Sequence, residues 1–231
     1  MPRRARIVLS HCPHHIIQRG HNRQVVFTGD SDFLYYLNTL SEWKTNLGCK
    51  VYSCCLMTNH VHLIIDPGNN EKNLGLLMKR VAGRQTRYIN KLEKRSGSLW
   101  EGRYKSSPIN ANEYLLSCCR YIELNPLRAG IVEDPAQYRW SSCPAKTGMS
   151  ELSWLDLDPF YQSLGNTPGQ RAEKYKEWLF QTVPEGEWKV IREAAQRGQL
   201  TANRKFEIEI SKKLGRRIEL RGPGRPKKNK K

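Results

Sequence analysis

The stretch KVYSCCLMTNHVHLIID, residues 50–66, leaves this chain the fewest options. It reads as two apolar strands meeting at the turn-like Thr58-Asn59, a β-hairpin. Val61 and the run Leu63-Ile64-Ile65 mark the second strand as buried. Alternation along a strand sets His60 and His62 on one face and Val61 on the other. With a rise of about 3.3 Å per residue, the two histidines stand roughly 7 Å apart at the backbone. Both rings can then reach one metal ion. A histidine pair in a strand is by itself more often structural, so the rest of the chain has to decide.

Around the hairpin the elements alternate. HHIIQRG (14–20) reads as a first strand ending at Gly20. In DSDFLYYLNTLSEWKTNLG, Asp30 or Ser31 serves as N-cap, apolar Phe33, Leu34, Leu37 and Leu40 recur at helical spacing, and Gly48 is the stop. A second helix is expected from Leu74 to about Arg95, a further strand in LWEGRYKSSPI, and a third helix in NANEYLLSCCRYIELNP. That last helix is capped near Asn110 or Asn112 and stopped by Pro126, because the residue before a proline disfavours the α region. The order β-α-β-β-α-β and then a helix is that of a ferredoxin-like sandwich, an α+β fold with an antiparallel sheet and helices on one face. The expected units are the domain at 1–145, a linker or lid at 146–170, a helical appendage at 171–220 and a basic tail at 221–231.

Charge narrows the partner. Lys and Arg number 39 against 22 Asp and Glu, a net charge of +17. Such a surplus favours a polyanion, nucleic acid first and an anionic membrane surface second. Residues 211–231 alone hold ten of the cations and one acid, Glu219. No run of about 18 apolar residues is available to span a bilayer, and the N-terminal apolar stretch is too short for a signal peptide. The seven cysteines include two adjacent pairs and no CxxC, which fits a reduced, cytoplasmic chain with small buried thiols. HCPHH (11–15) lacks the second ligand pair that makes a zinc site specific.

The third helix supplies the chemistry. Tyr121 and Asn125 are four positions apart, so they share a helix face, with Asn125 at the C-terminal end. Two imidazole nitrogens and an amide oxygen hold a metal with positions left open for a phosphate oxygen. A tyrosine one turn back can attack the polarised phosphorus once deprotonated. A phenol is also a leaving group good enough for a 3′-hydroxyl to reverse the step, which suits strand transfer better than hydrolysis. Tyr114 and Tyr104 are rivals, and the spacing to Asn125 favours Tyr121.

HVH together with YIELN resembles the single-tyrosine transposases of the His-hydrophobic-His superfamily, and within it the REP-associated tyrosine transposases. HHIIQRGHNRQVVF, LWEGRYKS, YIELNPLRAGIV and YRWSS resemble further blocks of that family, over roughly residues 5–145. The resemblance implies a divalent-metal-dependent endonuclease and strand transferase acting on single-stranded DNA, often near a hairpin. Tyr121 would form a 5′-phosphotyrosine link and release a 3′-hydroxyl. His60 and His62 match the metal pair, Asn125 matches the third ligand, and the ion is Mg2+ or Mn2+. The rival readings are a DNA-binding regulator that keeps the fold without turnover, and a metal phosphodiesterase that uses water.

DNA contacts are expected from Arg19, in the first family block, and from Arg103 and Lys105, which alternate with Tyr104. Arg80, Arg84 and Arg87 form a basic helix stripe that is equally a solvated face. Trp100 and Trp140 can stack on unpaired bases, but core packing is the plainer reading. GPGRPKK resembles an AT-hook, with Arg225 in the minor groove of AT-rich duplex flanked by Lys227 and Lys228. A nucleoid-associated protein would follow. Oligomeric state is left open.

Overall fold

In the computed structural model, residues 6–184, 186–215, 217 and 218 are described. The elements run β1 (His14–Arg19), α1 (Asp30–Leu47), β2 (Lys50–Met57), β3 (His60–Asp66), α2 (Lys72–Leu92), β4 (Lys105–Pro108) and α3 (Ala111–Glu123). Short helices follow at α4 (Asn125–Arg128), α5 (Cys143–Lys146) and α6 (Pro159–Ser163), then α7 (Pro168–Leu179), α8 (Glu187–Arg197) and α9 (Arg204–Lys213). The four strands form one antiparallel sheet in the order β2-β3-β1-β4. This is the ferredoxin-like arrangement, α+β with a helical C-terminal region.

Local chemistry accounts for the element ends. Gly29 precedes α1, and the Asp32 carboxylate accepts from the Thr28 and Gly29 N–H groups, which anchors the first turn. Gly48 ends α1 at φ 64°, a left-handed conformation glycine adopts without a Cβ penalty. The expected strand in LWEGRYKSSPI is shorter in the structure. Trp100 makes an isolated bridge to Gly20, Gly102 turns at φ 153°, and regular pairing resumes only at Lys105. Pro126 opens the short α4 instead of simply ending a helix, because a proline in the first turn has no N–H to satisfy.

Register defines two faces. His15, Ile17 and Arg19 of β1 lie opposite Ile64, His62 and His60 of β3, and these in turn oppose Ser53, Cys55 and Met57 of β2. Lys105 pairs with Ile17, so it extends the row that crosses β1 and β3 at His62. Tyr36 of α1 neighbours Cys54, on the opposite face from Ser53, whose hydroxyl bonds Glu123 of α3. Helices therefore cover both faces, where helices on one face were expected. α1 and α2 take one side, and α3 with the C-terminal helices takes the other.

Both sheet edges are occupied by this chain. Leu56 N–H donates to Trp140 O and Ser142 N–H to Cys54 O along β2, while Thr201 N–H donates to Pro108 O beside β4. Such pairing removes the open hydrogen-bonding edge that invites other chains. Residues 146–170, read from the sequence as a linker or lid, are stitched to the sheet domain. Asp156 accepts from the Val51 N–H at 2.7 Å and from the Lys44 ammonium. Lys146 is fully buried between Glu123 (3.3 Å) and Asp158 (3.7 Å).

Candidate active site

His60 and His62 stand side by side on β3, ring centroids 5.1 Å apart. α3 crosses the same face, and Asn125 closes its C-terminal end. The Asn125 amide donates to the carbonyls of Tyr121 and Ile122, both at 3.0 Å. Those bonds close the last turn of the helix and consume the amide's hydrogens, so the side-chain oxygen is the atom left over. Glu123, two residues beyond Tyr121, fixes how α3 is rotated. Its buried carboxylate accepts from Ser53 of β2 (3.0 Å), Ser142 (2.6 Å) and Tyr175 of α7 (2.7 Å).

With that rotation the Tyr121 ring lies 6.2 Å from the His62 ring and 5.8 Å from His15. Tyr121 is 5% exposed. The Arg128 guanidinium sits over its ring at 5.1 Å and over Trp188 of α8 at 4.3 Å, and Trp188 itself is 6.5 Å from Tyr121. His15, Arg128 and Trp188 were not singled out from the sequence. His15 had a signal, since it alternates with Ile17 on a strand that pairs beside the HVH strand. Trp188 had none, because only the docking of α8 brings it here.

The imidazoles are neutral at pH 7. Burial lowers His60 to about 4, helped by the charge of Arg19. His62 is lowered further below its ordinary value by burial and then by His15, His60, Arg19 and Arg128. Burial lowers His15 to about 3. His60 Nδ1 lies 2.7 Å from Asn59 Oδ1, an acceptor, so Nδ1 carries the proton and Nε2 keeps its lone pair. His62 Nδ1 is 2.9 Å from His15 Nε2. Two neutral rings and an amide oxygen are, as donor types, ones that a divalent cation accepts. Among the described residues no group of three or more His, Cys, Asp or Glu converges on a metal position.

Other expected residues fall as follows. Arg19 pairs with His60 across β1 and β3 and is partly exposed; Lys105 is exposed on the histidine face. Arg103 is exposed but lies in the bend before β4, so the strand alternation invoked for it holds only for Lys105. Gly102 breaks the extended chain there. Arg80 and Arg84 stack on Trp43 of α1 at 4.7 Å and 5.3 Å, and Arg84 also pairs with Glu42. Trp100 and Trp140 are core residues, the first donating to Ala82 O and the second stacked on Phe33. Both nitrogens of His14 are held by backbone groups, Nε2 by the Leu9 N–H and Nδ1 by the Cys12 carbonyl. All seven cysteines are free and buried. Arg225, Lys227 and Lys228 lie outside the described residues.

The fold and the site are thus a ferredoxin-like sheet with a histidine pair facing a helix-borne tyrosine. The model of the IS200-like transposase family matches residues 8–125, from before β1 to Asn125, and the chain belongs to that family. Membership makes it a transposase, of a family of DNA-cleaving and strand-transferring enzymes. Among solved structures, a REP-associated tyrosine transposase bound to a REP hairpin matches with a TM-score of 0.56 and 12% identity, over 68% of this chain and 99% of that one. That likeness is one of fold. A presumptive transposase from Deinococcus radiodurans overlaps 56% of this chain and 92% of its own, at 17% identity and a TM-score of 0.35. Among curated proteins, none matches the chain. No helix among the described residues is long and apolar enough to cross a membrane.

Proposed function

We propose that this transposase nicks and rejoins single-stranded DNA at hairpin repeats through Tyr121, and acts in the cytoplasm as a nucleoid-associated protein. The observation that carries the reading is the convergence of the Tyr121 ring on the His60–His62 face, 6.2 Å from His62, from an element remote in sequence. His60, His62 and the Asn125 oxygen are the groups that would hold Mg2+ or Mn2+. When bound, the ion supplies a positive charge that polarises a phosphate oxygen. Tyr121 gives up its phenolic proton and its oxygen bonds to phosphorus. The bond from phosphorus to the 3′-oxygen breaks, and that oxygen takes a proton to become the free 3′-hydroxyl. One phosphodiester is exchanged for another, so a second 3′-hydroxyl can reverse the step without an energy source.

Arg19 and Lys105, which share the histidine face, and Arg103 at its margin would hold the DNA backbone. The relative that binds a REP hairpin supports structured DNA as the substrate here. Arg225, Lys227 and Lys228 would add minor-groove contacts in duplex DNA. Incubation with a labelled hairpin oligonucleotide and Mn2+ tests the reading. A covalent adduct that is absent from Tyr121→Phe is expected. Cleavage that survives Tyr121→Phe would indicate water as the nucleophile, and binding without cleavage would indicate a regulator. Chelation should remove cleavage and spare binding, which weakens steeply with salt.

A further inference from the structure

We propose that His15 is a positioning residue for His62, selecting the ring nitrogen that faces the cation; this rests on the metal-dependent reading above. His15 is fully buried on β1, one strand over from His62 on the shared face. Its Nε2 lies 2.9 Å from His62 Nδ1, and its own Nδ1 is buried with no hydrogen-bond partner. Leaving a buried ring nitrogen unpartnered costs stability. An apolar side chain of similar shape would fill the same space and carry no unpartnered nitrogen of its own, so what the histidine adds here is its bond to His62.

The hydrogen bond gives a reason. If His62 Nδ1–H donates to His15 Nε2, the proton on His62 is committed to Nδ1 and the lone pair stays on Nε2. His62 then matches His60, whose Nδ1 proton is held by Asn59 Oδ1. In that direction two adjacent histidines carry the same tautomer through two unrelated acceptors, and neutral His15 keeps its own proton on the unpartnered Nδ1; the opposite direction would put the His62 proton on Nε2. A partner on the second nitrogen commonly orients a metal-binding histidine, and losing it typically costs about 10- to 100-fold in metal affinity. His15 also touches the Tyr121 ring, edge to face at 5.8 Å, so one side chain braces the histidine and packs against the tyrosine.

The test compares His15→Phe, which keeps the ring and removes the acceptor, with His15→Gln, whose Oε1 can replace Nε2. Imidazole 15N shifts on metal-free protein should show His62 protonated at Nδ1 in wild type and His15→Gln, and a mixture of tautomers in His15→Phe. Mn2+ affinity should fall about 10- to 100-fold in His15→Phe and stay near wild type in His15→Gln. His15→Phe removes the unpartnered His15 Nδ1 and leaves His62 Nδ1 unpartnered instead, so its melting temperature should stay close to wild type while the tautomers and the Mn2+ affinity change. A wild-type His62 protonated at Nε2, or a tautomer population indifferent to His15→Phe, overturns the proposal. Mn2+ binding unaffected by His60→Ala would instead sink the metal reading, and the metal-free tautomers would still decide the role of His15.

Discussion

Toward α1 and α2 the sheet presents Ile16, Leu63, Ile65 and Leu56, each fully buried, against Tyr36, Leu40 and Phe33. Toward α3 and the C-terminal helices it presents His15, His62, Ser53 and Ser107, and opposite them Glu123, Lys146, Asp158 and Tyr175 are equally removed from water. The first face is non-directional: any well-packed apolar set of the right volume serves. The second adds to apolar contacts of Ile64 and Cys55 a set of hydrogen bonds and ion pairs with few alternative geometries, and a helix docked by such bonds is set in rotation as well as in place. Tyr121 and Asn125 need that accuracy. In the proposed mechanism the apolar face stabilises the scaffold, and the polar face aims Tyr121 and Asn125.

The sharpest way to break this contrast is Tyr121→Phe. Adduct formation with a hairpin oligonucleotide should disappear while the urea midpoint barely moves, because the ring contacts remain. Next in size is Glu123→Ala, which leaves the buried Lys146 without its nearer partner. Burial opposes the Lys146 charge, yet Cys119, Glu123 and Asp158 together raise its pKa above the ordinary value. Losing one partner of such a pair costs about 3–5 kcal/mol, read from urea denaturation, and adduct yield per folded molecule should fall as well. If stability alone changes, the network does not aim the tyrosine.

Leu63→Ala probes the other face. It should cost about 2–5 kcal/mol through the cavity it opens, with adduct yield per folded molecule unchanged at a temperature well below melting. An equal loss of yield would erase the distinction between the faces.

The smallest effect concerns acid. His15 has a folded pKa of about 3, below its unfolded value, so below pH 6.5 the unfolded chain binds more protons. Its contribution is present above pH 6.5 and is lost as pH falls toward the folded value. Each pH unit in that window should cost metal-free protein about 1 kcal/mol more in wild type than in His15→Phe, measured by urea midpoints at stepped pH. Parallel pH profiles would mean that His15 is not held neutral by burial.

The hairpin, the four strands and the faces of β3 were legible because period-two alternation and the Thr58-Asn59 turn are local signals. α3 and the spacing of Tyr121 and Asn125 were legible for the same reason. The short β4 was misjudged because Gly102 at φ 153° interrupts an otherwise strand-like run. The coverage of the second face was missed because the short helices after Asn125 carry weak periodicity. Their attachment depends on single residues such as Asp156, whose partner Lys44 lies far away in sequence, and Lys146, whose partner Glu123 lies on α3.

Alone, the sequence determined the strand and helix order, the basic character and the residue types that bear on phosphodiester chemistry, since each follows from spacing and composition. Only the tertiary structure decided which groups meet: that His15 bonds His62, that Glu123 anchors α3 to β2, and that Arg128 and Trp188 close over Tyr121. Those meetings depend on distances of a few ångströms between segments remote in the chain, and no local pattern encodes them.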